Sequence, residues 1–262
     1  MEPLSYSIVI PAYNESERIQ SSLQKIVAFL SEQSWTAEVL VVNDGSRDNT
    51  VQIVRQFATR YPYIRLIENP GNRGKGYSVR NGMLQASGDV VLFTDADLSA
   101  PITEAPKLFR EIENGADVAF GSRWLIAKLQ TERQSILRQI AGRMYNLFMR
   151  VLLGLPFKDT QCGFKAFNRK AVETIFTRQH IERWGFDVEL LFLARKFGLK
   201  IVEVPVAWAH DDRSKINPIV DGIKMFGEMV SVRWNSICGR YSTPHMEQTV
   251  VAQSAPVPKI AK

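Results

Sequence analysis

The sequence predicts an α/β fold: a mainly parallel sheet with helices on both faces. Three observations carry that expectation. Short apolar runs such as "YSIVIP", "EVLVVND" and "DVVLFTD" alternate with stretches of helical periodicity. Those runs are apolar throughout, not at every second residue, which is the pattern of strands buried on both sides. A polar or acidic residue lies at or just beyond the end of each of the three, namely Asn14, Asp44 and Asp95, and in open parallel sheets the ligand crevice lies at the carboxyl ends of the strands.

Taken in order, the pattern reads as strand "YSIVIP", a helix over about 16–32, strand "EVLVVND", a helix over about 48–60, strand "IRLIEN", a helix over about 75–86, then "DVVLFTD" and "DVAFGS". The alternation then breaks. An amphipathic helix over about 133–153 leads to "CGFKAFN", a helix over about 186–197, "KIVEVPV" and a long amphipathic stretch over about 216–238. We expect residues 1–240 to form one domain, with residues 241–262, rich in Ser, Pro and Ala and without periodicity, as a disordered tail. There is no internal repeat.

At 262 residues and 45% hydrophobic content the chain can bury a sizeable core. Cys162 and Cys238 stand far apart without CxxC or His-rich surroundings, so neither a disulfide framework nor a zinc site is expected, and the thiols suit a reducing compartment. The first residues lack a basic segment and a long apolar run, and no stretch of about eighteen apolar residues occurs, so the expectation is a cytoplasmic chain without signal peptide or membrane span. The formal charge is +6, with much of the excess in 122–150 (Arg123, Lys128, Arg133, Arg138, Arg143 and Arg150 against Glu132). That cluster lies beside an amphipathic face and lacks the aromatic platforms of a single-strand binder, which argues against nucleic acid.

Asp95 and Asp97 stand one residue apart at the end of an apolar strand, where both can face one site. Two carboxylates so placed repel unless a cation lies between them or one is protonated. A hard divalent ion, Mg²⁺ or Mn²⁺, takes oxygen ligands and completes its shell with substrate phosphates; the alternative is that the pair simply caps the following helix. "PAYNE" and "NDGS" close the first and second strands on the same edge. There a tyrosine face can stack on a nucleobase and a carboxylate can accept from an imide N–H or ribose hydroxyls. Capping by Asn14 and Asp48 would explain each loop singly, not the convergence of all three.

Together "IPAYNE", "VVNDGSRDNT", "NRGKGYSVRNG" and "TDADLS", in this order and spacing, resemble the inverting family 2 glycosyltransferases. "KDTQCGFKAFNR", "RWGFDVELL" and "VPVAWAHDDRSK" narrow the resemblance to the branch that makes polyprenyl-phosphate sugars, nearest to the dolichyl-phosphate β-glucosyltransferases, over roughly residues 5–235. The resemblance implies the GT-A fold, Rossmann-like with a mixed, mainly parallel sheet and C-terminal amphipathic interface helices. Residues 1–122 would then be the nucleotide-sugar half and 123–240 the acceptor and membrane-interface half. It implies transfer of glucose from UDP-glucose to a polyprenyl or dolichyl phosphate, with β-linkage by inversion, at the cytosolic membrane face. GDP-mannose as donor and a non-catalytic nucleotide-sugar binder are the alternatives.

On the same resemblance Pro11, Ala12, Tyr13, Glu15 and Asp44 would hold base and ribose, and Asp95, Ala96 and Asp97 the diphosphate end. Asp95 and Asp97 would be the metal ligands. Where mannosyl relatives usually carry a glutamine as a further ligand, this chain has Ser99. An acceptor phosphate is already an anion and needs cations more than a base. Arg123 is the first candidate, which the relatives support, followed by Arg138 and Arg143. Arg213 and Lys215 would neutralise the leaving diphosphate, with His210 a loop residue, and where mannosyl relatives place an arginine this chain has Ala209. Gln161, Lys165, Asp187 and Glu189 are expected to line the sugar pocket. Asp159 is a sugar-orienting or catalytic carboxylate, or else a helix cap.

Two apolar helix faces suit a headgroup layer. Ile136, Ile140, Met144, Leu147 and Val151 form one, flanked by Arg143 and Arg150. Ile219, Ile223, Phe226, Val230 and Trp234 form the other, near Lys224 and Arg233. Core packing is the competing reading for each.

Overall fold

The computed structural model describes residues 4–125, 147, 151–209 and 218–244, with side chains of the last stretch described from Phe226 onward. Seven strands form one sheet: β1 (Ser5–Ala12), β2 (Thr36–Asn43), β3 (Ile64–Glu68), β4 (Val90–Thr94), β5 (Val118–Ser122), β6 (Phe164–Asn168) and β7 (Ile201–Pro205), in spatial order β3-β2-β1-β4-β6-β5-β7. β6 runs antiparallel to both its neighbours and every other pairing is parallel, so the sheet is mixed and mainly parallel, as expected.

Because successive strand residues point to opposite faces, each strand feeds two cores. Ile8, Ile10, Val39, Val41 and Leu92 pack under α1 (Ile19–Ser31), α2 (Thr50–Arg60) and α4 (Ala105–Glu113). Val9, Leu40, Val42, Val91 and Phe93 pack under α3 (Lys75–Gln85), α5 (Arg169–Phe176), α6 (Phe186–Lys196) and the inner face of α7 (Pro218–Ile237). The chain winds β1-α1-β2-α2-β3 in one direction. Through α3 it then crosses to β4 on the other side of β1, which makes the β1/β4 boundary the switch point of the sheet. Pairing with β4 stops at Val9, ahead of Pro11, so the missing N–H of that proline costs no ladder bond there.

The first three helices and α6 and α7 lie within three residues of the sequence expectation. α4 and α5 were not anticipated. Both are short, and α5 begins directly at the end of β6, where Asn168 caps it by accepting from the Ala171 N–H at 2.8 Å. Of the expected helix over 133–153, residues 147 and 151–153 are described and helical, and the remainder lies outside the described residues. Packed structure continues past residue 240, because Tyr241 is fully buried against α6; residues 245–262 of the expected tail lie outside the described residues. Among the described residues no helix is long and apolar enough to cross a membrane.

Candidate active site

The antiparallel course of β6 puts the loop preceding it, 157–163, on the same edge as the carboxyl ends of β1, β2, β4, β5 and β7: Thr94 faces Phe164 across one pair, and Ser122 faces Pro205 across another. With the β3–α3 loop, since β3 is parallel to β2, seven loops converge there, and their side chains divide into the side expected to hold the donor and the side expected to meet the acceptor.

On the donor side the loops brace one another. Asn14 adopts a left-handed backbone (φ 53°), its N–H donating to Ser46 Oγ and its Oδ1 accepting from the Arg47 N–H. Asp48 accepts from the N–H groups of Ser16 and Thr50 and from the Thr50 hydroxyl, which holds its carboxyl down at about 2 despite burial. Asp44 is 3% exposed and accepts from the N–H groups of Arg73 (2.9 Å) and Gly74 (2.8 Å) and from Asn69 Nδ2 (2.9 Å). It fastens the β3–α3 loop to the end of β2. The Gly45 backbone sits at φ 74° and approaches Gly71 so closely that a Cβ would lie 2.8 Å from its carbonyl carbon. Pro11 and Ala12 are buried within β1, and Tyr13 stands 40% exposed at its end, a ring free to stack.

At the switch point Arg18 joins the β1 and β4 loops: its Nε donates to Glu15 Oε2 at 2.7 Å and its NH1 lies 3.7 Å from Asp97 Oδ2. Asp97 Oδ1 accepts from the Ser99 N–H at 2.9 Å, and the residue between them, Leu98, is held at φ 51°, a conformation rare for a bulky residue. Ala96 is anchored to α1, its carbonyl accepting from Ser22 Oγ. Asp95 Oδ1 lies 2.5 Å from Lys75 Nζ, an ion pair without hydrogen-bond alignment. The Asp95 carboxylate rests on Gly163, where a Cβ would collide with it, which explains the glycine in "QCGFK". Lys75 also lies 5.6 Å from the Trp184 ring centroid and 5.8 Å from that of Phe186. Asp95, Asp187 and Asp97 together push its ammonium pKa up against the opposing effect of burial.

On the acceptor side the carboxylates hold cations. Asp159, 1% exposed, takes Arg123 in a two-pronged pair: Nε donates to Oδ2 at 2.7 Å, NH2 to Oδ1 at 2.8 Å, and the Arg123 backbone N–H to Oδ2 at 3.0 Å. Although burial opposes ionisation, Arg123 keeps the Asp159 carboxyl below the usual carboxylate range, so it is a fixed anion, not a base poised near neutrality. Trp208 lies 5.3 Å from the guanidinium. Lys165 is fully buried, donating to the Asp187 carboxylate and to the Cys162 carbonyl, so Lys165 reaches the site only through Asp187. Gln161 sits beside Asp159, its N–H donating to Oδ1.

Glu189 stands apart from all of these. Fully buried, it accepts from the N–H groups of His180 and Ile181 and from the Tyr241 hydroxyl, and burial pushes its carboxyl up to about 7. Asp187 and Glu189, two apart on a helix, cannot share a face, and only Asp187 turns toward the strand-end carboxylates. Arg138, Arg143, His210, Arg213 and Lys215 lie outside the described residues. Sequence reasoning assigned no role to Lys75, Arg18, Trp184 or Trp208. A charge count could have found Lys75, because several acids at one sheet edge need cations and "RGKG" opens the helix that starts at that edge.

Residues 7–176 match the family model for glycosyl transferase family 2. The chain belongs to that family. It is 38% identical over 236 residues to dolichyl-phosphate beta-glucosyltransferase ALG5C of Trichomonas vaginalis, covering 86% of this chain and 70% of that one. To the dolichyl-phosphate beta-glucosyltransferase of Dictyostelium discoideum it is 36% identical over 245 residues, covering 89% and 75%. The fold matches glucosyl-3-phosphoglycerate synthase of Mycobacterium tuberculosis in complex with UDP, with a TM-score of 0.65 at 21% identity over 92% of this chain and 81% of that one. That synthase has also been solved with Mn²⁺ and UDP-glucose. The sheet is therefore the GT-A arrangement.

The donor set suits a divalent cation. Asp95 and Asp97 offer hard oxygens at the switch point, and in this structure each already has a cationic side chain against it, Lys75 and Arg18. Among the described residues no group of three or more His, Cys, Asp or Glu could hold a metal, and a hard divalent ion commonly completes its shell with substrate phosphates and water.

Proposed function

We propose that this family 2 glycosyltransferase moves glucose from UDP-glucose to a polyprenyl (dolichyl) phosphate, giving a β-linked lipid-phosphate glucose at a membrane surface. The observation that carries the reading is the division of one sheet edge into a braced acidic donor side and a cation-bearing acceptor side. The relatives named for dolichyl-phosphate glucosylation supply the substrates, and the fold neighbour that binds UDP-glucose supports uridine over guanosine.

In this reading Tyr13 stacks on uracil, with Pro11, Ala12 and Glu15 shaping the base and ribose site. Asp44, whose oxygens hold the β3–α3 loop, acts chiefly by building that wall. Asp95 and Asp97 would hold Mg²⁺ or Mn²⁺, which when bound neutralises the diphosphate leaving group. Asp187, steadied by Lys165, and Gln161 orient the sugar. Arg123, locked in direction by Asp159 and Trp208, meets the acceptor phosphate and offsets the repulsion between two phosphate groups. The phosphate attacks as an anion, so no residue need take a proton, consistent with the depressed Asp159 carboxyl. Arg138, Arg143, Arg213 and Lys215 are further cations proposed for the phosphates.

The exposed stripe Phe226, Val230, Trp234 and Ile237 on α7, together with exposed Leu147 and Val151, is the surface proposed to meet the membrane as a peripheral contact. The test is direct: protein with UDP-glucose, a polyprenyl phosphate and Mg²⁺ or Mn²⁺ should release UDP and form an acid-labile glycolipid. GDP-mannose should neither substitute nor stabilise the fold. Failure to form glycolipid at any metal concentration overturns the reading.

A further inference from the structure

We propose that Lys75 is a resident counter-ion of the donor site: its ammonium holds the place beside Asp95 that a divalent cation takes with the donor, and it moves from carboxylate to diphosphate as the two enter. The inference rests on the glycosyltransferase reading above and adds an ordering to it, because bare metal should be excluded and metal with nucleotide admitted.

The geometry points this way on three counts. Lys75 Nζ is 2.5 Å from Asp95 Oδ1, a carboxylate whose other flank is taken up by Gly163, so an incoming cation meets the lysine on the open side. Two cations held by one carboxylate oxygen repel across a few ångströms in a partly desolvated site, so they compete. The lysine is also built to move without unfolding anything. It is the first residue of α3, its side chain is 20% exposed, its stem is flexible, and its ammonium lies within reach of the rings of Trp184 and Phe186, which attract a cation over a range of positions. Once a diphosphate lies over Asp95 and Asp97, an ammonium displaced by the metal has phosphate oxygens within the reach of the same stem. Arg18 cannot play this part, since Glu15 holds it by two contacts and it stands 3.7 Å from Asp97.

The experiment separates metal from nucleotide on the full chain. Free Mn²⁺ is titrated by electron paramagnetic resonance without nucleotide, and UDP is titrated calorimetrically at saturating Mn²⁺, for the wild type, Lys75→Met and Lys75→Arg. The Met variant should bind Mn²⁺ alone about tenfold more tightly and UDP about fivefold more weakly, while the Arg variant follows the wild type in both. These opposite signs are the signature, because a merely structural lysine would weaken both on removal. Unchanged or weaker Mn²⁺ binding by Lys75→Met overturns the inference. If that variant does not fold, Lys75→Gln is melted with and without Mn²⁺: a larger metal-induced rise in Tm than in the wild type supports the proposal, and an equal or smaller one overturns it. A wild type that glucosylates normally while its variants lack the reciprocal pattern removes this inference alone. A wild type without metal-dependent UDP binding removes the proposed function and this inference with it.

Discussion

Asp44 and Asp159 are buried to nearly the same degree on the same sheet edge, yet they do different work. Asp44 accepts from two backbone N–H groups and an asparagine amide, so its charge is used to build a loop. Asp159 accepts both prongs of Arg123 as well as its backbone N–H, so its charge is used to aim a cation. The same contrast holds across the edge. Asp44 and Asp48, after β2, are satisfied mainly by backbone N–H groups, whereas Asp95, Asp159 and Asp187 face Lys75, Arg123 and Lys165. A donor nucleotide is one recurring shape and suits a rigid wall. Phosphates approaching one another need mobile or aimed positive charge.

The largest effect should fall where the two sides meet. Asp97→Ala should lower kcat/KM by about a thousandfold and abolish the metal-dependent rise in Tm with UDP, while changing Tm little without ligand, because Asp97 is partly exposed and its ion pair with Arg18 is long. A loss under tenfold would mean that the metal is held elsewhere.

Asp159→Asn sharpens the contrast further. The amide cannot accept both prongs of Arg123, so the variant should lose about a hundredfold in kcat/KM, chiefly through the acceptor, and about 3 kcal/mol of stability as a broken buried pair. Its donor affinity should stay within about twofold, whereas Asp44→Asn, which can no longer accept from Arg73, Gly74 and Asn69 together, should weaken UDP binding by about tenfold. The pH sign follows from the depressed Asp159 carboxyl. Its contribution is fully present above the ordinary carboxylate pKa and is lost as pH falls through the lower folded value, so Asp159→Asn should flatten that acid limb of the melting curve. Equal loss of donor and acceptor affinity in Asp159→Asn would break the distinction.

These contrasts mark how far the sequence can be read. The α/β alternation, the strand ends and the pairing of Asp95 with Asp97 are local signals, and each lies within a few residues of where the structure puts it. Asp44 and Glu189 show the limit. Both read as polar residues beside a site, but which hydrogen bonds occupy them depends on loops 25 and 52 residues away, at Asn69 and Tyr241. Lys165 reads as a sugar-pocket residue and is instead fully buried behind Asp187, because the β4–β6 register sets it directly opposite Phe93, on the same face of the sheet. Lys75 escaped notice because its partner lies across the sheet at the end of β4, a pairing that no local pattern announces. α4 and α5 escaped because nine and eight residues give little room for periodicity to show.

Glu189 tests whether the acceptor side extends to the far end of α7. Tyr241, just beyond that helix, donates to Glu189, and Glu228 within it accepts from the Gly185 N–H at 2.6 Å, so two carboxylates tie α7 to the loop that carries Trp184. Burial pushes the Glu189 carboxyl up to about 7 from an ordinary 4.5, with the two backbone N–H groups, the Tyr241 hydroxyl and Arg80 opposing that rise. The folded state therefore holds this proton where the unfolded chain has released it. Stability should rise as pH falls from about 7 toward 4.5, by an amount on the order of 3 kcal/mol.

Glu189→Gln should remove that slope while costing one hydrogen bond, since its amide nitrogen cannot accept from Ile181 or His180. Melting curves between pH 4.5 and 7.5 for the two proteins decide it, and parallel curves would show that the carboxyl titrates normally.

The smallest effect belongs to the outer face of α7. Phe226, Val230, Trp234 and Ile237 follow helical spacing and are 46%, 47%, 61% and 69% exposed, while Met229 and Val232 on the inner face are buried. Among the side chains described, from Phe226 onward, Met229 and Val232 face the core while Val230, Trp234 and Ile237 face outward; Ile219 and Ile223 of the expected face lie outside the described side chains. Trp234→Ser removes an amphipathic ring from the outer face without touching the core, so it should lower binding to anionic vesicles by about fivefold. Tm and soluble UDP binding should stay unchanged. Sedimentation with vesicles of mixed neutral and anionic lipid reads the first and calorimetry the second. If vesicle binding is untouched, membrane contact lies elsewhere and the acceptor side ends at Arg123 and Trp208. If UDP binding falls as well, α7 and the donor wall are one mechanical unit, and the contrast between the two sides holds for charge but not for rigidity.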